Sequence, residues 1–315
     1  MVSDNNDWGF TPMPRVQANG IDIEYESIGR EGDPAILLIM GFSGPLTFWP
    51  DSLCQGLATK GFRVIRFDNR DIGRSSRLAQ FGAPDLSAMM AKRLAGGYPV
   101  APYSLDDMAA DAAGLIAALG IDRAHVVGAS MGGMIAQLVA ISHPSSVKSL
   151  VSIMSTTGRP DLPQGKAEAF AAIMAPPASA GREDRIARGI EVWRVIGSPG
   201  FRASDAELRA IVERSVDYAP YDPAGIARQM AAIVSAPPRN ERLKSVKIPA
   251  LVIHGADDPL VPVSGGEDTA KSTPGAELLV VPGMGHDFPE ALMPVYLKAI
   301  GDFVAKVEAR ERSPS

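Results

Sequence analysis

Two hydrophobic periods alternate along this chain. Short, unbroken apolar runs recur between turn signals, and longer stretches with apolar positions three and four apart lie between them. The first pattern predicts buried strands and the second predicts helices. Residues 16–18 and 21–25 flank Asn19-Gly20, a hairpin signal. Further strands are predicted over residues 35–40, 62–67, 124–127, 148–154, 248–254 and 276–281. Helices are predicted over residues 50–60, 104–119, 265–272 and 294–308, with one more running from Ser130 to His143-Pro144. Ser104 with Asp107 three residues on is a capping-box variant, and Gly120 closes that helix.

The alternation breaks twice. Residues 79–103 form an insertion carrying Pro, Gly and the paired Met89 and Met90. From residue 156 to about 240 the strand signal disappears. Four helices are predicted there, over 165–174, 182–196, 204–218 and 223–234, punctuated by Pro176-Pro177, Pro199-Gly200 and Pro237-Pro238. The expected organisation is one core unit, 15–156 and 241–308, with a helical cap, 157–240, inserted in it. Residues 1–14 read as a leader ordered by Trp8 and Phe10. Strands alternating with helices predict an α/β fold, a mostly parallel sheet with helices on both faces. Chemistry in such sheets gathers at the carboxyl ends of the strands.

Composition narrows the classes. The 315 residues are 46% hydrophobic and 21% charged, an ordinary globular balance. A net charge of -5 argues against nucleic acid and anionic membrane as partners, since both require a concentrated basic face. The single cysteine, Cys54, excludes an internal disulfide and sits in a helical pattern, where a packing role is expected. No secretory signal is visible in residues 1–10, and no apolar run is long enough to span a membrane. A cytoplasmic protein is the expectation.

The chemistry centres on Gly128-Ala129-Ser130-Met131-Gly132, a G-x-S-x-G sequence directly after an apolar run. A strand must end and a helix begin there, with the serine hydroxyl held proud of the turn. A serine hydroxyl needs a base, and the base needs a carboxylate to orient it. Of four histidines, His125 lies at the start of the strand and His143 at a helix end, both away from the turn. His254, near the end of its strand, is expected to support the site from behind. His286, in the loop Pro282-Gly283-Met284-Gly285 after the last predicted strand, is the expected general base. Asp257 and Asp258, after the preceding strand, are both candidates for the acid, and Asp287 beside the base is read as solvated.

An anionic tetrahedral intermediate needs backbone donors. The Met131 N–H at the helix start and the Phe42 N–H in Gly41-Phe42-Ser43-Gly44 are the expected oxyanion hole. Trp49, Met154, Trp193 and Met284 are expected to line an apolar substrate pocket, with Met89, Met90, Met131 and Met134 as further candidates. Asp68-Asn69-Arg70-Asp71 is read as a charged turn with internal ion pairs. No metal-ligand or nucleotide-binding motif occurs, so no cofactor is expected.

Residues 16–304 resemble the α/β-hydrolase superfamily. Asp68-Asn69-Arg70-Asp71-Ile72-Gly73-Arg74-Ser75, Gly128 to Gly133, Ala236-Pro237-Pro238-Arg239 and Pro282 to His286 are similar to bacterial enzymes related to aclacinomycin methylesterase. The resemblance implies an eight-stranded sheet with a helical cap, and a Ser130, Asp258, His286 triad, which selects Asp258 over Asp257. It implies cofactor-free hydrolysis of a small-molecule carboxylic ester. Two departures stand out. The common His-Gly loop is Met40-Gly41 here, and Asp71 stands where many relatives carry glycine. The same triad would serve a lactonase, a carbon–carbon bond hydrolase or a perhydrolase. A hydrolase-fold small-molecule receptor and an acyltransferase are the rival classes. Fold-level analogy makes a homodimer an expectation.

Overall fold

The computed structural model describes residues 13–312. The expected ordering of the leader by Trp8 and Phe10 lies outside these residues. Asn19 and Gly20 take positive φ angles of 48° and 78°, as a tight hairpin demands. This folds β1 (Arg15–Ala18) antiparallel onto β2 (Ile21–Ile28). Six more strands follow: β3 (Ala35–Ile39), β4 (Arg63–Phe67), β5 (Ala124–Ala129), β6 (Val147–Ile153), β7 (Ala250–Gly255) and β8 (Glu277–Val281). The sheet order is β1-β2-β4-β3-β5-β6-β7-β8. β2 meets β4 antiparallel, and every pairing from β4 to β8 is parallel. The fold is the mostly parallel α/β sheet that the alternation predicts, with the eight strands the resemblance implies.

The apolar runs are unbroken because both faces of the sheet are covered. Every position of β3, β4, β5 and β7 is buried. Leu37, Ile39 and Val126 point into one layer with α3 (Leu105–Ala118) and α4 (Met131–Ser142). Ile36, Leu38 and Val127 point into the other, with α1 (Asp51–Thr59) and the C-terminal helix. The capping box at Ser104 and Asp107 forms as its spacing predicts.

Two helical expectations need correction. The 79–103 insertion contains a helix, α2 (Leu86–Leu94), whose N-terminus Asp85 caps by accepting the Ala88 N–H at 3.0 Å. Its Met89 packs against Met230, so tertiary packing stabilises a weakly patterned segment. The C-terminal helix starts at Met293 and runs to Arg312, beyond the expected 308; its last four residues are exposed and continue a helix anchored by Val304, Val307 and Glu308.

Between β6 and β7 the described residues form no strand. They form α5 (Ala167–Met174), α6 (Arg182–Ile196), α7 (Asp205–Tyr218), α8 (Pro223–Ser235) and a short extra helix, α9 (Asn240–Leu243). α10 (Val263–Ser272) and α11 (Met293–Arg312) complete the chain. The loops after β3, β5, β7 and β8 all leave the same, carboxyl edge of the sheet, where α6, α7 and α8 meet them.

Candidate active site

Gly128 and Gly132 make the serine turn possible by close approach. A Cβ on Gly128 would lie 2.0 Å from the Gly132 carbonyl oxygen, and one on Gly132 would lie 1.9 Å from the Ile39 carbonyl oxygen. The end of β5 and the first turn of α4 therefore pack backbone to backbone. Ser130 bridges them at φ 55° and ψ −120°, a conformation L-residues rarely adopt. Its N–H is held by the Ile153 carbonyl at 2.9 Å. The strained turn leaves Oγ at the mouth of the sheet edge rather than capping the helix, and no side-chain cap bond forms at Ser130.

The structure brings Ser130, His286 and Asp258 together. His286 Nε2 lies 2.9 Å from Ser130 Oγ, and His286 Nδ1 lies 2.7 Å from Asp258 Oδ2. A carboxylate only accepts, so Nδ1 carries the proton and Nε2 turns its lone pair to the hydroxyl. Asp258 Oδ1 accepts the N–H groups of Leu260 and Val261, both at 2.9 Å, which fixes the carboxylate and leaves Oδ2 for the ring. Asp257 is exposed and turns the other way, accepting the Gly283 N–H at 2.8 Å. His254 is buried behind Asp258, its Nε2 donating to the Val261 carbonyl at 2.8 Å and lying 3.7 Å from Asp258 Oδ2. Burial pushes the His254 ring down from its ordinary pKa, so it stays neutral. His125 and His143 lie elsewhere. His125 bridges Ser149 and Glu308, and His143 closes α4.

Gly41 touches the nucleophile: a Cβ there would lie 3.1 Å from Ser130 Cβ. The neighbouring amides are spent, Ser43 N–H on Gln229 Oε1 at 3.0 Å and Gly44 N–H on the Gly41 carbonyl at 3.2 Å. Among the described residues the Phe42 N–H has no acceptor, and Met131, as first residue of α4, has none within its helix. Gln229 is a residue that sequence reasoning missed. It is fully buried on α8, and its Nε2 also donates to the Arg70 carbonyl at 3.0 Å. Nothing in a single glutamine on an amphipathic helix signals that reach.

The charged turn holds this loop from below in the structural role expected of it, but its ion pairs reach outside the turn, to Asp111 and Arg228, rather than closing within it. Asp68 accepts the Leu46 and Arg74 N–H groups and the Tyr218 hydroxyl, at 2.7, 2.8 and 2.8 Å. Burial pushes Asp68 up to about 6 against these three donors. Asn69 donates to the Met40 carbonyl at 2.9 Å, Arg70 pairs with Asp111, and Asp71 pairs with Arg228.

The pocket expectations divide. A groove of about 410 Å³ opens between α7, the start of α1 and the loop after β8, lined by Trp193, Phe48, Leu208, Ile211 and Phe288 among others. Trp193 is on its wall. Trp49, Met154 and Met284 are not: each is packed into the core layer under the site, where Trp49 meets Phe288 at 5.1 Å between ring centroids. Met154 and Met284 follow strand ends and Trp49 precedes α1, places where pocket wall and core share one apolar signature. Asp287 also departs from expectation. It is buried, with Ser198 donating to it, and burial raises its pKa. Among the described residues no cluster of His, Cys, Asp and Glu is arranged to hold a metal.

The sheet order, the serine turn and the loops at its carboxyl edge define one class. Residues 34–290 match the alpha/beta hydrolase fold family, and the chain belongs to it. Rhodomycin D methylesterase DauP from Streptomyces sp. (strain C5) is 27% identical over 303 residues, covering 89% of this chain and 94% of that relative. Among solved structures, the enol-lactonase from Burkholderia xenovorans LB400 superposes with a TM-score of 0.68 at 22% identity, over 93% of this chain and all of that one (100%). The meta-cleavage product hydrolase CumD from Pseudomonas fluorescens IP01, complexed with acetates, gives 0.70 at 22% identity, over 93% and 97%. These two likenesses show the fold. No helix among the described residues is long and apolar enough to cross a membrane.

Proposed function

We propose that this chain is a serine hydrolase of carboxylic esters of small to medium, fairly apolar acids or alcohols. The observation that carries the reading is the continuous Ser130–His286–Asp258 chain at 2.9 and 2.7 Å. The methylesterase activity named for the relative supports the ester as substrate. Ser130 Oγ attacks the ester carbonyl while His286 Nε2 takes its proton. The carbonyl oxygen gains the charge, opposite the Phe42 and Met131 N–H groups. Collapse expels the alcohol, which leaves with the proton from His286. Water, deprotonated by His286, then attacks acyl-Ser130, and the acid departs as the serine regains its proton. Asp258 keeps the ring in the competent tautomer and supports its cationic form. The reaction as written needs no cofactor. Residues 157–240 act as a cap over the carboxyl edge of the sheet.

The test is Ser130→Ala on p-nitrophenyl acetate and butyrate. We expect kcat to fall by about 10⁴-fold or more, with the protein still folded. Equal turnover by both proteins would overturn the mechanism.

A further inference from the structure

The loop that carries His286 is anchored by Met284 in the core layer, but the residues on either side of that anchor are glycines. Gly283 and Gly285 flank Met284, and Gly283 sits at φ 79°, so the backbone is intrinsically free. Yet the loop is sewn to the turn after α6. Ser198 Oγ accepts the Gly285 N–H at 2.8 Å and donates to Asp287 Oδ1. The Ser198 N–H is shared between both Asp287 oxygens, 3.1 Å from each. The His286 N–H donates to the Ile196 carbonyl at 2.8 Å, and the Gly200 N–H to the Gly283 carbonyl at 2.9 Å. The two segments touch through bare backbone: a Cβ on Gly285 would lie 2.5 Å from the Gly197 carbonyl oxygen. Ser198 is 1% exposed and Asp287 7%, so water does not compete for these bonds.

We propose that Ser198 is a positioning residue for His286, clamping the loop on both flanks of the base to the helical segment between β6 and β7. The proposal rests on His286 being the base of the Ser130 reaction. One hydroxyl does two jobs that no other side chain here does. As acceptor it fixes the residue before the base, and as donor it fixes the residue after it. The ring is then aimed from its own backbone as well as from Asp258. The α6–α7 turn consequently travels with the base, and a helical segment swinging free of the sheet edge would drag His286 off Ser130.

The test compares wild type with Ser198→Ala, Asp287→Ala, Asp287→Asn and the double alanine variant. The readouts are kcat and KM on p-nitrophenyl butyrate, the rate of labelling by a fluorophosphonate, and the thermal midpoint. Both single alanine variants are expected to lose about ten- to hundredfold in kcat and in labelling rate, with KM within about threefold of wild type. Asp287→Asn keeps an oxygen acceptor for the Ser198 donors and is expected to lose about tenfold less than Asp287→Ala. The double variant is expected within about threefold of the worse single variant, because the two residues act through one clamp. Should Asp287→Ala fail to fold, Ser198→Ala against Asp287→Asn carries the same comparison. Folded variants with wild-type kcat and labelling rate, whatever their thermal midpoint, would overturn the clamp. So would losses that multiply in the double variant. Wild-type labelling at a residue other than Ser130 would instead overturn the triad, and the clamp with it. Labelling at Ser130 that is equally fast in Ser198→Ala would overturn the clamp alone.

Discussion

The sheet and the helical segment between β6 and β7 are held in place by different forces. Whole strands of the sheet are buried, and its two covering layers are built mainly from apolar side chains. By contrast, α6 buries only Ile186 and Ile196 of its fifteen residues, and α5 buries only Ala169. α6 and α7 face solvent with ion pairs such as Arg182–Asp217 and Arg209–Glu213, which contribute little in water, whereas α8 adds buried apolar contacts through Met230, Ala231 and Val234. What aims the segment at the site is a handful of buried polar contacts: Arg228 on Asp71, Gln229 on Ser43 and Arg70, and Ser198 on Asp287. Apolar area makes the platform, and a few directional bonds orient what lies over it. Such bonds have angular demands that area burial lacks, so they suit parts whose placement matters for chemistry.

That contrast predicts where damage is greatest. Arg228 and Asp71 are 1% and 0% exposed and joined by two hydrogen bonds of 2.8 and 2.7 Å. Arg228→Leu leaves a buried carboxylate without its partner, and about 3–5 kcal/mol should be lost in urea denaturation. Leu37→Ala in the platform should cost about 2–5 kcal/mol, so one polar pair outside the sheet rivals a core side chain. A loss for Arg228→Leu no larger than that of an exposed pair would break the comparison.

The platform also carries a polar pair of its own, and it gives the molecule an acid sensitivity. Burial pushes His125 down to about 4, despite the opposing bond from Glu308. The folded ring therefore resists a proton that the unfolded chain accepts near its ordinary 6.5. Stability should fall as pH drops from about 6.5 to about 4, by about 3 kcal/mol from this group. Asp68, raised to about 6, works in the opposite sense, its contribution being lost as pH rises through that value. Comparing wild type with His125→Gln in urea across this range isolates the histidine, and the variant should show the flatter profile. The smallest effect belongs to the exposed network of the helical segment. Arg182→Ala should leave the urea midpoint unmoved, and any change should vanish at high salt.

What was legible in the sequence follows the same division. The strands were readable because a run such as Ala35–Ile39 must be apolar at every position to lie between two helical layers. Ser130 and His286 were readable because each sits in a local pattern, a glycine-bounded turn and a glycine-rich loop at a strand end. The choice between Asp257 and Asp258 was not local. The residues alone left both open and the resemblance selected Asp258; adjacent side chains leave the turn in different directions, and Asp258 is the one that reaches the ring. Asp287, Ser198 and Gln229 were illegible for a related reason. Their partners lie 89 and 186 positions away in the contacts Ser198–Asp287 and Ser43–Gln229, and no periodicity encodes such a pairing. Trp49, Met154 and Met284 are buried in the core layer, and Trp193 lines a groove whose walls include neither Ser130 nor His286; apolar character alone does not distinguish the wall of a groove from the layer beneath it.

The central claim is that one hydroxyl becomes nucleophilic because an imidazole and a carboxylate stand behind it. Reaction of the folded protein with a fluorophosphonate, followed by mass mapping of the adduct, tests that directly. The account predicts a single adduct on Ser130, absent in Ser130→Ala and formed at least about 10²-fold more slowly in His286→Ala. An adduct on another residue, or ester hydrolysis that persists while Ser130 stays unlabelled, would contradict it.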